Sequence, residues 1–207
     1  MPSALILIAD GTEEMEFTIT YDTLVRAGVF CTSAFVPAPA SSPDEPDPPN
    51  RHPPQNPPFA RGSRGINILP DTYFSPHALT ADKFDALIIP GGAGGAKTLS
   101  ESSPVQHLVR DFYEAKKIVG MICAGSLAAL TSNLPTQPIT SHPSVQSQLA
   151  DKFEYSDKPV VVSGNLVTSR GPGTTFPFAL TLVELLCGKA KREEVYAPMV
   201  FPVGTPW

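Results

Sequence analysis

Cys123 lies in the run Lys116 to Leu130, KKIVGMICAGSLAAL, between two stretches of different character. Ile118 to Ile122 is apolar and largely β-branched and reads as a buried strand. Ala124 to Leu130 is rich in helix formers and reads as the helix that follows. A cysteine at such a junction aims its sulfur at the unpaired N–H groups of the first helical turn, where the helix dipole favours an anion. That setting is expected to lower the thiol pKa from about 8.5 to roughly 3.5–7.5, giving a nucleophilic thiolate at neutral pH. The turn resembles a Gly-x-nucleophile-x-Gly elbow. Gly125 is its second glycine, Met121 stands in place of the first, and Gly120 comes one position early. A cysteine closing a buried strand can equally be an inert small hydrophobe. Chemistry requires other groups to converge on it.

A thiol nucleophile needs a proton acceptor and donors for a developing oxyanion. Three carboxyls, Glu13, Glu14 and Glu16, follow the strand-like run Ala4 to Ala9 (ALILIA) and the turn Asp10-Gly11-Thr12. One of them is a candidate neighbour of the sulfur, and spacing alone does not choose among them. A partly buried carboxyl beside a thiolate is expected to have a raised pKa, since desolvation and like charge both oppose ionisation. The glycines of Pro90 to Gly95 (PGGAGG) directly follow the apolar run Asp85 to Ile89. They allow close backbone approach or a tight turn, but their spacing is not that of a dinucleotide-binding loop. His142 ends a short strand-like run, Ile139 to His142 (ITSH), and is a further candidate. His52, His77 and His107 read as solvated or capping residues.

The elements that must position these groups alternate between strand and helix. Thr12 is expected to cap a helix reaching Ala27, with Gly28 as its stop. Strands follow at Val29 to Val36, Gly65 to Leu69 and, weakly, Thr72 to Phe74. Asp85 to Ile89 is a buried parallel strand. Helices are expected over Ala96 to Glu101 and Pro104 to Ala115, the second capped by Ser103 with Pro104 at its first position. Pro143 opens a helix to about Ala150. Phe153 to Tyr155 is a strand, and Val160 to Ser163 and Leu166 to Ser169 form a hairpin about Gly164-Asn165. Thr174 or Thr175 caps a final helix, Phe176 to Leu186. This alternation predicts an α/β fold with a mainly parallel sheet and a site at the strands' carboxyl ends, where ALILIA, DALII and IVGMI lie side by side.

From Pro37 to Pro58 there are 10 prolines in 22 residues. That composition excludes helix and ladder and reads as a solvated surface insertion at about 37–60, with no partner identified for it. The pattern on either side is expected to belong to one sheet, giving a single domain over residues 1–207. With 15 basic and 20 acidic residues, a net charge of −5 and no basic cluster, nucleic acid is not an expected partner. Three widely spaced cysteines with no CxxC favour a reducing compartment and no disulfide or zinc site. Met1 to Ala9 has neither the basic start nor the apolar length of a signal peptide, and no uncharged run approaches the roughly 20 residues of a membrane span. A cytoplasmic location is expected, with a nuclear one also considered.

Six stretches, in order, resemble the DJ-1/PfpI superfamily, and its DJ-1 branch in particular. They are LILIADGTEEMEF, VRAG at Val25 to Gly28, PGGAGGAKTLSES, ICAGSLAAL, TSHP and TSRGPGTTFPFAL. The resemblance implies a flavodoxin-like three-layer α/β sandwich, of the class I glutamine amidotransferase type, assembled as a homodimer. It implies a reactive Cys123 hydrogen-bonded to a protonated Glu16, with His142 close by and the backbone N–H groups of Gly92 and Ala124 as the oxyanion-binding pair. It implies a glyoxalase that converts methylglyoxal or related 2-oxoaldehydes to 2-hydroxy acids such as D-lactate, without metal, cofactor or glutathione. Protein deglycase and chaperone activities, and ready oxidation of the cysteine to sulfinate, belong to the same resemblance. The alternative is a redox-responsive chaperone or oxidative-stress sensor using the same thiol. A PfpI-type protease or amidase ranks last. The sequence departs from the family pattern at the proline-rich insertion and at Pro177, where an acidic residue is expected. Arg26 and Arg64 fall where the family places arginines near a dimer-side anion site, though both also read as surface residues. Cys31 and Cys187 read as core.

Overall fold

The computed structural model of the protein describes residues 1–38 and 59–207, so the proline-rich insertion lies outside the described residues except at its ends, as does His52. In chain order the elements begin with β1 (Ser3–Ile8), α1 (Glu14–Arg26), β2 (Phe30–Phe35), β3 (Ala60–Arg61) and β4 (Asn67–Ile68). There follow β5 (Thr72–Tyr73), β6 (Ala86–Ile89), α2 (Ala93–Glu101), α3 (Ser103–Glu114), β7 (Ile118–Ile122) and α4 (Leu127–Thr131). The last part contains β8 (Pro138–Ile139), α5 (Gln146–Leu149), β9 (Glu154–Tyr155), β10 (Val160–Ser163), β11 (Leu166–Ser169), α6 (Thr175–Cys187) and α7 (Lys189–Tyr196).

Seven strands form the central sheet in the order β10-β11-β7-β6-β1-β2-β5. All neighbours are parallel except the terminal β10–β11 hairpin. Leu5 to Ile8 and Leu87 to Ile89 are fully buried, as expected for strands covered on both faces. Helices α1, α6 and α7 pack together, and α2, α3 and α4 make up the other helical group. This is the mainly parallel, layered α/β architecture that the alternating pattern predicts.

The chain leaves β1 for β2 on one side and returns to β6 on the other. The crevice at the carboxyl ends of β1 and β6 is therefore the topological switch point of the sheet. Ile89 is level with Met121, so the residues two further on, Gly91 and Cys123, emerge side by side.

Several expectations are corrected. The run Gly65 to Leu69 does not join the main sheet: only Asn67–Ile68 is extended, and it pairs antiparallel with Ala60–Arg61 in a separate ribbon. Ile139 to His142 is likewise not a strand of that sheet. Pro138–Ile139 pairs with Glu154–Tyr155 in a second ribbon, and His142 caps a 3-10 turn over Pro143–Val145. Helix α1 is capped by the Glu13 carboxylate, which accepts the Glu16 N–H, while Thr12 Oγ1 accepts the Ala9 N–H. Ser102, not Ser103, is the cap residue of α3. Helix α2 begins at Ala93, inside the glycine cluster. Helix α7, KAKREEVY, has no apolar stripe of its own and only Val195 is buried, which is why periodicity missed it.

Candidate active site

Cys123 has φ +62°, a left-handed backbone for a residue that carries a Cβ, costing roughly 1–2 kcal/mol. The strain is held by its surroundings. A 3-10 turn over Cys123–Ser126 leads from β7 into α4. The Ser126 hydroxyl donates to Thr140 O at 3.0 Å, and the His142 N–H donates to Cys123 O at 3.3 Å. The elbow is thus fastened to the 140–142 segment, and the sulfur faces the switch point.

Of the three carboxyls left open by spacing, the structure brings Glu16 to the sulfur. Glu16 is fully buried. Its Oε2 accepts the Gly91 N–H at 2.6 Å, while Oε1 is buried with no hydrogen-bond partner among the described residues. Glu13 is used as the helix cap. Glu14 points the other way and is grasped by the ribbon: the Arg64 N–H donates at 2.5 Å, the Ser63 hydroxyl at 2.9 Å and the Ile66 N–H at 3.4 Å. Burial works against its charge, but these donors hold its carboxyl below the usual value. The ribbon is further tied to the turn before α1, through Gly11 N–H to Arg61 O and Ser63 N–H to Thr12 O. Sequence reasoning missed this clasp, since two of its three donors are backbone groups, which carry no residue signature, and the third is a lone serine.

The amides of Ala124 and Gly92 both hydrogen-bond toward the sulfur and favour its anion. Gly92 has φ +83°, and a Cβ there would lie 2.1 Å from Gly11 O, so this position admits glycine only. A Cβ on Gly91 would lie 2.6 Å from Cys123 Cβ, 2.8 Å from Glu16 Oε2 and 2.9 Å from Cys123 Sγ. Gly91 therefore marks the space the thiol and carboxyl share. Gly91→Ala is expected to force them apart and lower kcat/KM by about a hundredfold, with an unchanged circular dichroism spectrum. Activity close to that of the parent would show that the pair tolerates separation.

The thiol departs from the expected electrostatics. Burial pushes Cys123 up to about 12; repulsion from Glu16 adds to this, and the Ala124 and Gly92 amides oppose it without prevailing. Burial likewise pushes Glu16 up to about 7, with the Gly91 amide and the thiol drawing it back. The expectation of a depressed thiol pKa is corrected here. The helix amides are in place, but removing the sulfur from water outweighs them while the carboxylate is charged. The two groups hold one proton between them, because ionising the second opposes the first.

His142 is near Cys123 through the backbone, but its ring is engaged elsewhere. Nδ1 lies 2.8 Å from Ser144 Oγ and accepts the Ser144 N–H at 3.2 Å, which leaves the proton of the neutral ring on Nε2. Cδ2 is 3.5 Å from the position of a Cβ on Gly171, so the ring lies along the Arg170–Gly173 loop. Ser144 was not anticipated; a serine two residues past a histidine is too common a pattern to single out.

Arg26 pairs with Asp22 on the surface of α1, and Arg64 reaches the Ser63 carbonyl. Cys31 is buried and its thiol is pushed up to about 12 by burial, with Asp71 adding repulsion. Cys187 is half-buried and also raised by burial. Among the described residues no cluster of His, Cys, Asp or Glu could hold a metal ion, and no helix is long and apolar enough to cross a membrane.

A family model described as the DJ-1/PfpI family matches residues 2–185. The Schizosaccharomyces pombe protein named glutathione-independent glyoxalase DJ-1 is 37% identical over 207 residues, covering 98% of this chain and 100% of the relative. The Caenorhabditis elegans protein named glutathione-independent glyoxalase DJR-1.2 is 32% identical over 199 residues, covering 95% of each chain. Among solved structures, Drosophila melanogaster DJ-1beta superposes with a TM-score of 0.83 at 37% identity, covering 97% of this chain and 98% of that one. The family match therefore extends from β1 into α6 and includes every residue around the sulfur, and the chain belongs to the DJ-1/PfpI family.

Proposed function

We propose that the protein is a glutathione-independent glyoxalase that converts methylglyoxal and related 2-oxoaldehydes to 2-hydroxy acids, D-lactate from methylglyoxal. The observation that carries the reading is the Cys123–Glu16 pair, a buried thiol beside a carboxyl whose pKa is raised to about 7. Two relatives of nearly the same length are named for this activity.

Glu16 takes the thiol proton as the sulfur attacks the aldehyde carbon, and the hemithioacetal forms with its oxygen against the Gly92 and Ala124 amides. Glu16 gives that proton to the hemithioacetal oxygen and, again a carboxylate, removes the proton from the former aldehyde carbon while the hydroxyl proton passes to the neighbouring carbonyl oxygen. An enediol results, and return of the proton to the neighbouring carbon gives a 2-hydroxy thioester. Water cleaves the thioester, releasing the hydroxy acid and restoring the thiol. A carboxyl with a pKa near neutrality can both accept and return a proton, as this sequence requires. His142 is assigned a supporting part at the mouth, with Nε2–H as the proton donor that its tautomer makes available. The scheme draws only on groups of the chain and water.

Purified protein incubated with methylglyoxal and no glutathione is expected to form D-lactate, followed with stereospecific lactate dehydrogenases. Methylglyoxal loss without lactate would overturn the reading. Release of the same adduct from modified proteins, the deglycase reaction, is proposed as an extension of this chemistry. A homodimer is proposed on the family resemblance, one domain over residues 1–207 on the strand and helix pattern either side of the insertion, and a cytoplasmic location, with the nucleus as a second one, on the cysteine usage.

The redox-sensor alternative draws on one observation: amides already facing the sulfur could hold the oxygens of a sulfinate. A two-oxygen mass gain confined to Cys123 after mild peroxide, with negligible turnover of methylglyoxal, would favour it.

A further inference from the structure

A groove of about 320 Å³ runs between α2, α4 and the start of α5, with Ala124, the residue after Cys123, in its wall. It opens at Ala93 and Ala124, the residues following Gly92 and Cys123, and its lining continues through Leu127, Leu130, Val145 and Gln148. Leu127 and Leu130 are only half-buried, on the face of α4 opposite its buried residues Ala128 and Ala129. The charged groups at its edge, Lys97 and Glu101, are exposed and of opposite sign, so the groove carries no net charge. Apart from the Ala124 amide, its lining takes no part in the reaction scheme above, which a methyl-bearing substrate completes without it.

We infer that this groove is a subsite for the substituent on the 2-keto carbon, and that the protein favours 2-oxoaldehydes bearing an uncharged apolar group larger than methyl. The inference rests on the glyoxalase reading and names its substrate class. In the hemithioacetal, carbon 1 is bonded to the sulfur and its oxygen lies against the two amides. Carbon 2 and its substituent must leave in the remaining direction. Ala124, itself an amide donor, and Ala93, which follows the other donor Gly92, form the groove mouth, so a substituent leaving past them meets the exposed faces of Leu127 and Leu130. An aryl or branched alkyl group there removes apolar surface from water on both partners. A methyl group is too short to reach it.

The test compares phenylglyoxal with methylglyoxal. The parent protein is expected to show a kcat/KM at least about tenfold higher for phenylglyoxal, the range that apolar pocket contacts supply. Gln148 is exposed, and Gln148→Trp places an indole across the groove away from the reacting groups. This variant is expected to lose about tenfold or more in kcat/KM for phenylglyoxal while methylglyoxal stays within about twofold. Thr131→Trp, on the α4 wall, is expected to act in the same way. Equal losses for both substrates, or no loss for either, would overturn the subsite. A second arm needs no turnover: calorimetric titration of Cys123→Ala protein with mandelate, the product from phenylglyoxal, and with lactate. Tighter binding of mandelate that Gln148→Trp removes supports the subsite even if neither aldehyde is consumed, an outcome that would defeat the glyoxalase reading alone. Mandelate binding unaffected by both tryptophan variants would sink the subsite.

Discussion

Cys123→Ser is expected to reduce glutathione-independent lactate formation from methylglyoxal at least about a thousandfold in kcat/KM. That loss equals about 4 kcal/mol of transition-state stabilisation. The substitution exchanges one atom at a buried position, so packing and the elbow backbone are retained. What changes is the acid strength of the nucleophile. A carboxyl with a pKa of about 7 can take a proton from a thiol when the developing anion is met by the Ala124 and Gly92 amides. It does so far less readily from an aliphatic hydroxyl, which is a much weaker acid, at a site built for a thiol. The shorter C–O bond also draws the nucleophile away from those amides. Thermal unfolding should change by less than about 1.5 kcal/mol, as for other near-isosteric core changes, so lost activity will not reflect lost fold. A serine variant with activity within tenfold of the parent would remove the covalent step from the scheme.

Much of the arrangement that supports this expectation is legible in the sequence. Short apolar runs such as ALILIA and the ALII of Ala86 to Ile89 read as buried parallel strands, and the strand–cysteine–helix turn is a local pattern. What was not legible is how remote backbone groups are assigned. Nothing in EEMEF says that Glu13 caps the helix, that Glu14 is held by a ribbon about 50 residues later and that Glu16 turns inward. Those choices depend on the Asp10–Thr12 turn being stitched to Arg61 and Ser63. The location of His142 was misread for a similar reason. ITSH alternates like a strand, yet Thr140 and His142 give their N–H groups to Thr168 Oγ1 and Cys123 O, leaving no ladder to extend. The thiol pKa failed differently. The sequence shows the helix amides but not the depth of burial, and burial decided the sign.

Glu16→Gln carries the second large effect and separates the carboxyl's two roles. As the proton carrier its loss is expected to lower kcat by about 10²–10⁴-fold, the contribution of a positioned general base. As a charge it acts on the sulfur in the opposite direction. Burial pushes Cys123 up first, and repulsion from Glu16 adds to it. The amide removes that repulsion and keeps nearly the same volume, so the thiol pKa should fall, and iodoacetamide should alkylate Cys123 faster at neutral pH even as turnover is lost. Stability should respond as well. The Glu16 carboxyl is raised from 4.5 to about 7 in the folded protein, so folding is undisturbed by it below pH 4.5 and is progressively weakened as pH rises through 7. The full penalty above pH 7 is on the order of 3 kcal/mol. Glu16→Gln removes it, so the variant should melt roughly 5–10 °C above the parent at pH 8 and show little advantage at pH 4.5. A gain of the same size at both pH values would mean that the carboxyl is not ionising in the buried site. Slower alkylation in the variant would mean that Glu16 activates the thiol in the ground state, reversing the order of proton transfer proposed for the first step.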